Sequence, residues 1–256
     1  MSSKASLNTT QTTGIQRMKD TQRMKDIREP KSAHRITGIR GTRSIRRTRD
    51  IQGITSLRSP AQVLERLSLG ESIRRTRVAG TLDLDPLVVS CWLCGEDMRG
   101  IYQPIVLDHC TLDGLNLRGR VFYEKVALAG CRIAAAHFEN AYFYAGLLIK
   151  DCIFERDFEG RGIQSDGRVV IHNTMFAGRA DFSGISLRHE VDLFELSFPG
   201  GTNLLHVLAH GLREHIGREI AINDCRFRAA DMPAELEMTS LKIAPLIEST
   251  PSSTES

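Results

Sequence analysis

Between Leu107 and Phe198 a large apolar residue returns every five or six positions. Leu107, Leu112, Leu117 and Phe122 are five apart, and after one extra residue the count restarts at Leu128, Ile133, Phe138, Phe143 and Leu148. Phe154 follows at a step of six, and Phe176, Phe182, Leu187, Leu193 and Phe198 carry the beat onward. A helix repeats at about 3.6 residues and a strand at about 2, so neither carries this spacing. The pattern predicts a chain that turns a corner every five residues and stacks on itself. It assigns an architecture, not a reaction.

Each unit has its own grammar. A small or apolar residue precedes the large one by two, as in Cys110-Thr-Leu112, Cys131-Arg-Ile133, Val191-Asp-Leu193 and Leu196-Ser-Phe198. The polar residue between them faces outward by strand alternation. Glycine closes several units (Gly114, Gly119, Gly184, Gly200), where a corner needs an unusual backbone angle or a close approach. Ala180-Asp-Phe-Ser-Gly184, Ala230-Asp-Met-Pro-Ala234 and Leu115-Asn-Leu-Arg-Gly119 resemble units of the pentapeptide-repeat family, over roughly residues 79–200 and 220–234. The resemblance implies an all-β solenoid: a right-handed, four-sided β-helix.

The flanking segments complete the expected organisation. Ser59-Pro-Ala-Gln62 is a helix start, with a Ser cap, Pro in the first turn and Gln three residues on. Val63, Leu64 and Leu67 form one apolar face, so 59–70 reads as a helix covering the first coil's open edge. The solenoid is expected over 71–201, with 155–173 bulging as a loop around Gly160, Gly162 and Gly167. Thr202 can cap an inserted helix over 202–217. Ile222, Phe227 and Met232 then resume the beat in a last partial coil, 218–238, and 239–256 reads as a disordered tail. Cys110, Cys131 and Cys152, each 21 residues apart, should form a column about one strand spacing, 4.8 Å, between neighbours.

Charge adds an asymmetry that the net +3 conceals. Residues 1–80 hold 18 Lys/Arg against 6 Asp/Glu, whereas 81–200 hold 11 against 17. Residues 1–58 read as a basic, low-complexity, disordered arm, with Gln16–Asp20 repeated at Gln22–Asp26 and Ser44–Arg49 at Ser72–Arg77. Arg40, Arg43, Arg46, Arg47 and Arg49 are the candidate contacts to nucleic acid or an anionic membrane surface. No aromatic residues interleave them, so base stacking is not indicated. Met1–Gln16 lacks an apolar signal core and the longest apolar run, Ala141–Ile149, is too short to span a bilayer. A soluble cytoplasmic protein without a transmembrane segment is expected.

No motif points to catalysis. Cys91, Cys110, Cys131, Cys152 and Cys225 each precede a large apolar residue by two, the small inward position where cysteine packs as a hydrophobe. Cys91-Trp-Leu-Cys94 is a lone pair without a second pair at zinc spacing. His206, His210 and His215 share the inserted helix, but no Glu follows the first of them as the zinc-protease pattern requires. No phosphate-binding glycine loop or nucleophile elbow is present, and no cofactor is implied. The expectation is a non-enzymatic module whose outward residues bind a protein partner, a homodimer being compatible with it. Three alternatives follow: a DNA-mimicking topoisomerase modulator, which the resemblance implies for a strongly acidic rod; a three-sided, left-handed acyltransferase solenoid, which the six-residue steps suggest; and association with nucleic acid or an anionic surface through the arm.

Overall fold

The computed structural model describes residues 56–93, 96–211 and 220–232. The expectations placed on 1–55, with Arg40, Arg43, Arg46, Arg47 and Arg49 among them, lie outside those residues. So do those for Cys94, His215 and the 239–256 tail.

The chain is a β-solenoid whose coils lay short parallel strands on four walls. The first wall is a seven-stranded sheet: Ile73–Arg74, Ile105–Asp108, Val126–Ala129, Leu147–Lys150, Val169–His172, Val191–Phe194 and Ile220–Asn223. Two longer strands, Thr76–Asp83 and Thr111–Asn116, run through the second wall into the third. Arg132–Ile133, Ile153–Phe154 and Met175–Phe176 extend the second wall. Ala136–His137, Phe158–Glu159 and Ala180–Asp181 extend the third. The fourth stacks Val121–Phe122, Tyr142–Phe143, Gln164–Ser165 and Ser186–Leu187.

Alternation sends one residue of each strand inward, and stacking then aligns like with like. Leu107, Leu128, Ile149, Ile171, Leu193 and Ile222 form one buried row. On the second wall Phe154, Phe176, Phe198 and Phe227 stack face to face at 5.0, 5.0 and 5.3 Å between ring centroids. Offset stacking of this kind adds to the hydrophobic gain from removing the rings from water.

The corner between the first and second walls follows one rule through seven coils. Arg75, His109, Gly130, Asp151, Asn173, Glu195 and Asp224 all take left-handed backbone, φ between 43° and 60°. For a residue bearing a Cβ that conformation costs about 1–2 kcal/mol. An inter-coil bond offsets it: the His109 and Asp151 amides donate to the Ala129 and His172 carbonyls at 2.7 and 3.0 Å. The next residue points inward and is Thr76, Cys110, Cys131, Cys152, Thr174, Leu196 or Cys225, every one of them buried. The hydroxyls and thiols among them donate to the carbonyl two residues back, as Thr174 does to His172 at 2.8 Å and Cys152 to Lys150 at 3.2 Å. The three equally spaced cysteines therefore form the expected column, and they act as donors as well as small hydrophobes.

Several expectations are corrected. Leu148 points outward and is half-buried, while Leu147 and Ile149 face the core, because three consecutive apolar residues hid the phase of the strand. Met232 is only half-buried, at the end of the last described coil. The other predicted core residues are buried. Residues 155–173 do not bulge: Phe158–Glu159, Gln164–Ser165 and Val169–His172 pair with coils on both sides. The count breaks there because the corner between the second and third walls gains a residue. Ala134 and Ala135 link Ile133 to Ala136, but Glu155, Arg156 and Asp157 link Phe154 to Phe158. Ser165 also takes a core place, its hydroxyl 3.0 Å from the Phe143 carbonyl. Cys91 is half-buried in an antiparallel hairpin, Val89–Leu93 with Glu96–Gly100, which leaves the repeat altogether.

Two helices interrupt the walls. Helix α1, Pro60–Ser68, has the expected capping box at Ser59 and Gln62 and buries Val63 and Leu67. The strand before it, Ser56–Arg58, pairs with Thr76–Val78, so the second wall begins inside the stretch read as arm. Helix α2, Leu204–Gly211, starts at Thr202, whose Oγ1 accepts from the Leu204 amide and donates to the Ala180 carbonyl. Leu204, Leu205 and Leu208 bury into the solenoid's end, and the first wall resumes at Ile220. No described helix is long and apolar enough to cross a membrane.

Candidate functional site

Among the described residues, the interior of the solenoid is apolar and tightly filled. Its cavity of about 30 Å³ is lined by apolar side chains such as Phe158, Ile171, Phe182 and Leu204. That is space for about one water, with nothing to hydrogen-bond it. The thiols of Cys110, Cys131 and Cys225 are held toward the protonated form. A hydrogen bond to Cys131 and then burial push Cys110 upward, and burial pushes Cys225 up to about 11. A nucleophile or metal ligand needs the thiolate, so these cysteines are structural.

On the outside, two walls carry distinctive side chains. On the third wall the outward row reads Asp83, Asn116, His137, Glu159, Asp181. Asn116 donates to Asp83 at 3.0 Å, His137 Nδ1 lies 2.5 Å from Glu159 Oε2, and Asn203 donates to Asp181 at 2.7 Å. The bond from His137 is the largest reason that the Glu159 carboxyl is lowered below its ordinary range. Arg118 grips Glu139 through two bonds, 2.9 and 2.7 Å, and reaches Glu159 at 3.2 Å. Arg120 lies 3.0 Å from Asp85 and 3.8 Å from Asp83. Asp83 and Glu159 of this row are thus matched by arginines of the corner that follows the wall, and Asp181 by Asn203.

The second feature is aromatic. The chain has four tyrosines, and all of them lie together at the edge of the fourth wall. Tyr102, Tyr123 and Tyr144 stack at 4.4 and 4.9 Å, each interplanar angle being 11°, and Tyr142 leans on Tyr144 at 4.6 Å. They follow or flank the core residues Ile101, Phe122 and Phe143, so the inner stack sets the outer one. Tyr102 donates to the Met98 carbonyl at 2.8 Å, tying the ridge to the hairpin, and Tyr142 donates to Asp166 at 2.7 Å. Asp166 in turn pairs with Arg188 at 3.1 Å. Tyr144 is 40% exposed. Desolvation, then the bond to Tyr102, push Tyr123 up to about 12, and desolvation with the Asp166 bond does the same to Tyr142.

The sequence reading brought neither feature together. Tyr102, Tyr123 and Tyr144 are 21 residues apart, the period that aligned the cysteines, so the ridge was legible once that period was applied to outward residues. His137 faces Glu159 rather than open solvent. His206 is exposed on α2, beside a cleft of about 300 Å³ that Arg179, Arg228 and Asp231 also line. No protein-family model matches this chain, and no curated protein or solved structure does so.

Proposed function

We propose that this chain is a non-enzymatic solenoid of the pentapeptide-repeat type that binds a protein partner through its tyrosine ridge. The observation that carries the reading is the gathering of every tyrosine on one outer edge. The core needs none of them, since Ile101, Phe122 and Phe143 already fill the inward places beside them. Tyrosine is enriched in protein interfaces because it offers large amphipathic contact area on only two rotatable bonds. Stacking fixes those rings in advance, so little side-chain entropy remains to be lost on binding.

The competing readings have less behind them. A duplex mimic needs unpaired negative charge along the rod, and Arg118 and Arg120 neutralise the third wall. The transferase reading rested on a three-sided coil, whereas this coil has four walls. The arm's charge keeps one second reading in view, an association with nucleic acid or an anionic surface.

The test compares what the full chain and its variants retain from a lysate. Y123S/Y144S, R118Q and a 55–256 truncation that keeps Ser56–Arg58 are run with and without nuclease. A defined protein lost only from Y123S/Y144S supports the ridge. Retention that survives Y123S/Y144S but vanishes with the arm, with nuclease and with salt overturns it in favour of the arm.

A further inference from the structure

The third wall holds a constellation that partner binding does not require. A ring nitrogen of His137, a carboxylate oxygen of Glu139 and one of Glu159 lie within 4.8 Å of one another. Stacking produces this convergence: His137 and Glu159 are register partners in neighbouring coils, and Glu139 is two residues past His137. The Glu139 side chain is only 10% exposed, so its charge is committed to this spot rather than to solvent. A buried carboxylate demands a cation. One is there: the Arg118 guanidinium spans both glutamates, at 2.7 Å to Glu139 and 3.2 Å to Glu159. Arg118 is itself 56% exposed on a long stem, so it can leave toward water without disturbing the core.

We propose that His137, Glu139 and Glu159 form a binding site for a divalent transition metal, for which the Arg118 guanidinium stands in. One imidazole with two carboxylates suits zinc and its borderline neighbours better than magnesium or calcium, which take oxygen alone. Three protein donors leave further coordination positions open to water or to a partner's side chain. Charge balances on exchange, because two carboxylates and a neutral imidazole match a dication. Binding requires Arg118 to swing out and a ring nitrogen of His137 to offer its lone pair, as a neutral imidazole does. Metal and guanidinium are therefore competitors, which separates this site from an ordinary ion-pair network.

The probe is cobalt(II), titrated into the full-length chain after chelator treatment and followed by its visible d–d absorption. Binding without the near-ultraviolet thiolate-to-cobalt band is expected, since no cysteine contributes. Arg118→Gln should bind at least about tenfold tighter, because a charge-assisted competitor is gone. His137→Gln and Glu159→Gln should each lose the absorption. Manganese(II) broadening of the His137 imidazole resonances in the unaltered chain checks the location without any substitution. No cobalt absorption in either the unaltered chain or R118Q overturns the proposal, as does weaker binding by a folded R118Q. Absorption accompanied by the thiolate band overturns it too, placing the metal on cysteine.

Discussion

Tyr123 lies face to face with Tyr144, ring centroids 4.9 Å apart, because each follows a phenylalanine of a second stack, Phe122 on Phe143 at 5.1 Å. The core thus templates its own outer edge. One coil spacing serves both stacks, and neither tyrosine can leave the line without breaking contact with its neighbour.

That coupling is measurable. Tyr144→Ala should cost little stability, since its ring is 40% exposed, and Tyr123→Ala more, since its ring is sandwiched. The double mutant should fall short of the sum by about 0.5–1.5 kcal/mol, the range for an aromatic pair. Chemical denaturation of the four chains in a cycle gives the value. Strict additivity would mean that the rings are merely adjacent.

Alkaline titration tests the same edge. Tyr123 and Tyr142 are raised from the ordinary 10.0 to about 12 in the folded chain. A folded value above the unfolded one means the folded state holds the proton more tightly. Their contribution is therefore intact below pH 10 and is lost as pH climbs toward 12. Denaturant midpoints should be flat through neutral pH and fall across that window, alongside late phenolate absorbance. In Y142F the fall should be shallower.

The beat of large residues disclosed the solenoid because each coil repeats one steric problem, filling a narrow core from four sides. It failed where a single extra residue changed phase. Leu148 was read as core because Leu147-Leu148-Ile149 offers three apolar candidates for two inward places, and only pairing with Ala127 and Val170 decides between them. The 155–173 stretch looked like a loop because one corner lengthened and Ser165 took an inward seat, its polarity satisfied by the Phe143 carbonyl. The hairpin around Cys91 was hidden because strand alternation alone reproduces the two-residue Cys-to-Leu step. The ridge and the metal-ligating cluster depend on residues one coil apart, so they emerge only when the period is known to the residue.

The phase correction makes a stability prediction. Phe176 is fully buried and stacked on both sides, so Phe176→Ala should cost about 3–5 kcal/mol. Leu148→Ala removes a half-buried outward side chain and should cost under about 1 kcal/mol. Ile149→Ala, one residue on and fully buried, should cost about 2–5 kcal/mol. Urea midpoints at unchanged slope would order the three; a Leu148 effect equal to that of Ile149 would restore the original phase.

The left-handed corner can be tested in both directions. Gly130 sits at φ 60°, and its amide donates to the Lys150 carbonyl at 2.8 Å. Gly130→Ala keeps that bond but adds the Cβ that the conformation penalises, so a loss of about 1–2 kcal/mol is expected. A new Cβ would also meet the His109 ring at 2.9 Å, but that ring is exposed and can turn aside. The backbone cost should therefore dominate, and His109→Ala should not rescue G130A. Glu195 occupies the same corner at φ 53°, its amide bonded to the Asn223 carbonyl at 3.0 Å. Glu195→Asn substitutes a residue that tolerates left-handed backbone and should gain a few tenths of a kcal/mol, up to about 1. Thermal or urea melts read both changes. Opposite signs at two corners three coils apart would show that one repeated backbone conformation, rather than any local contact, governs how each coil turns.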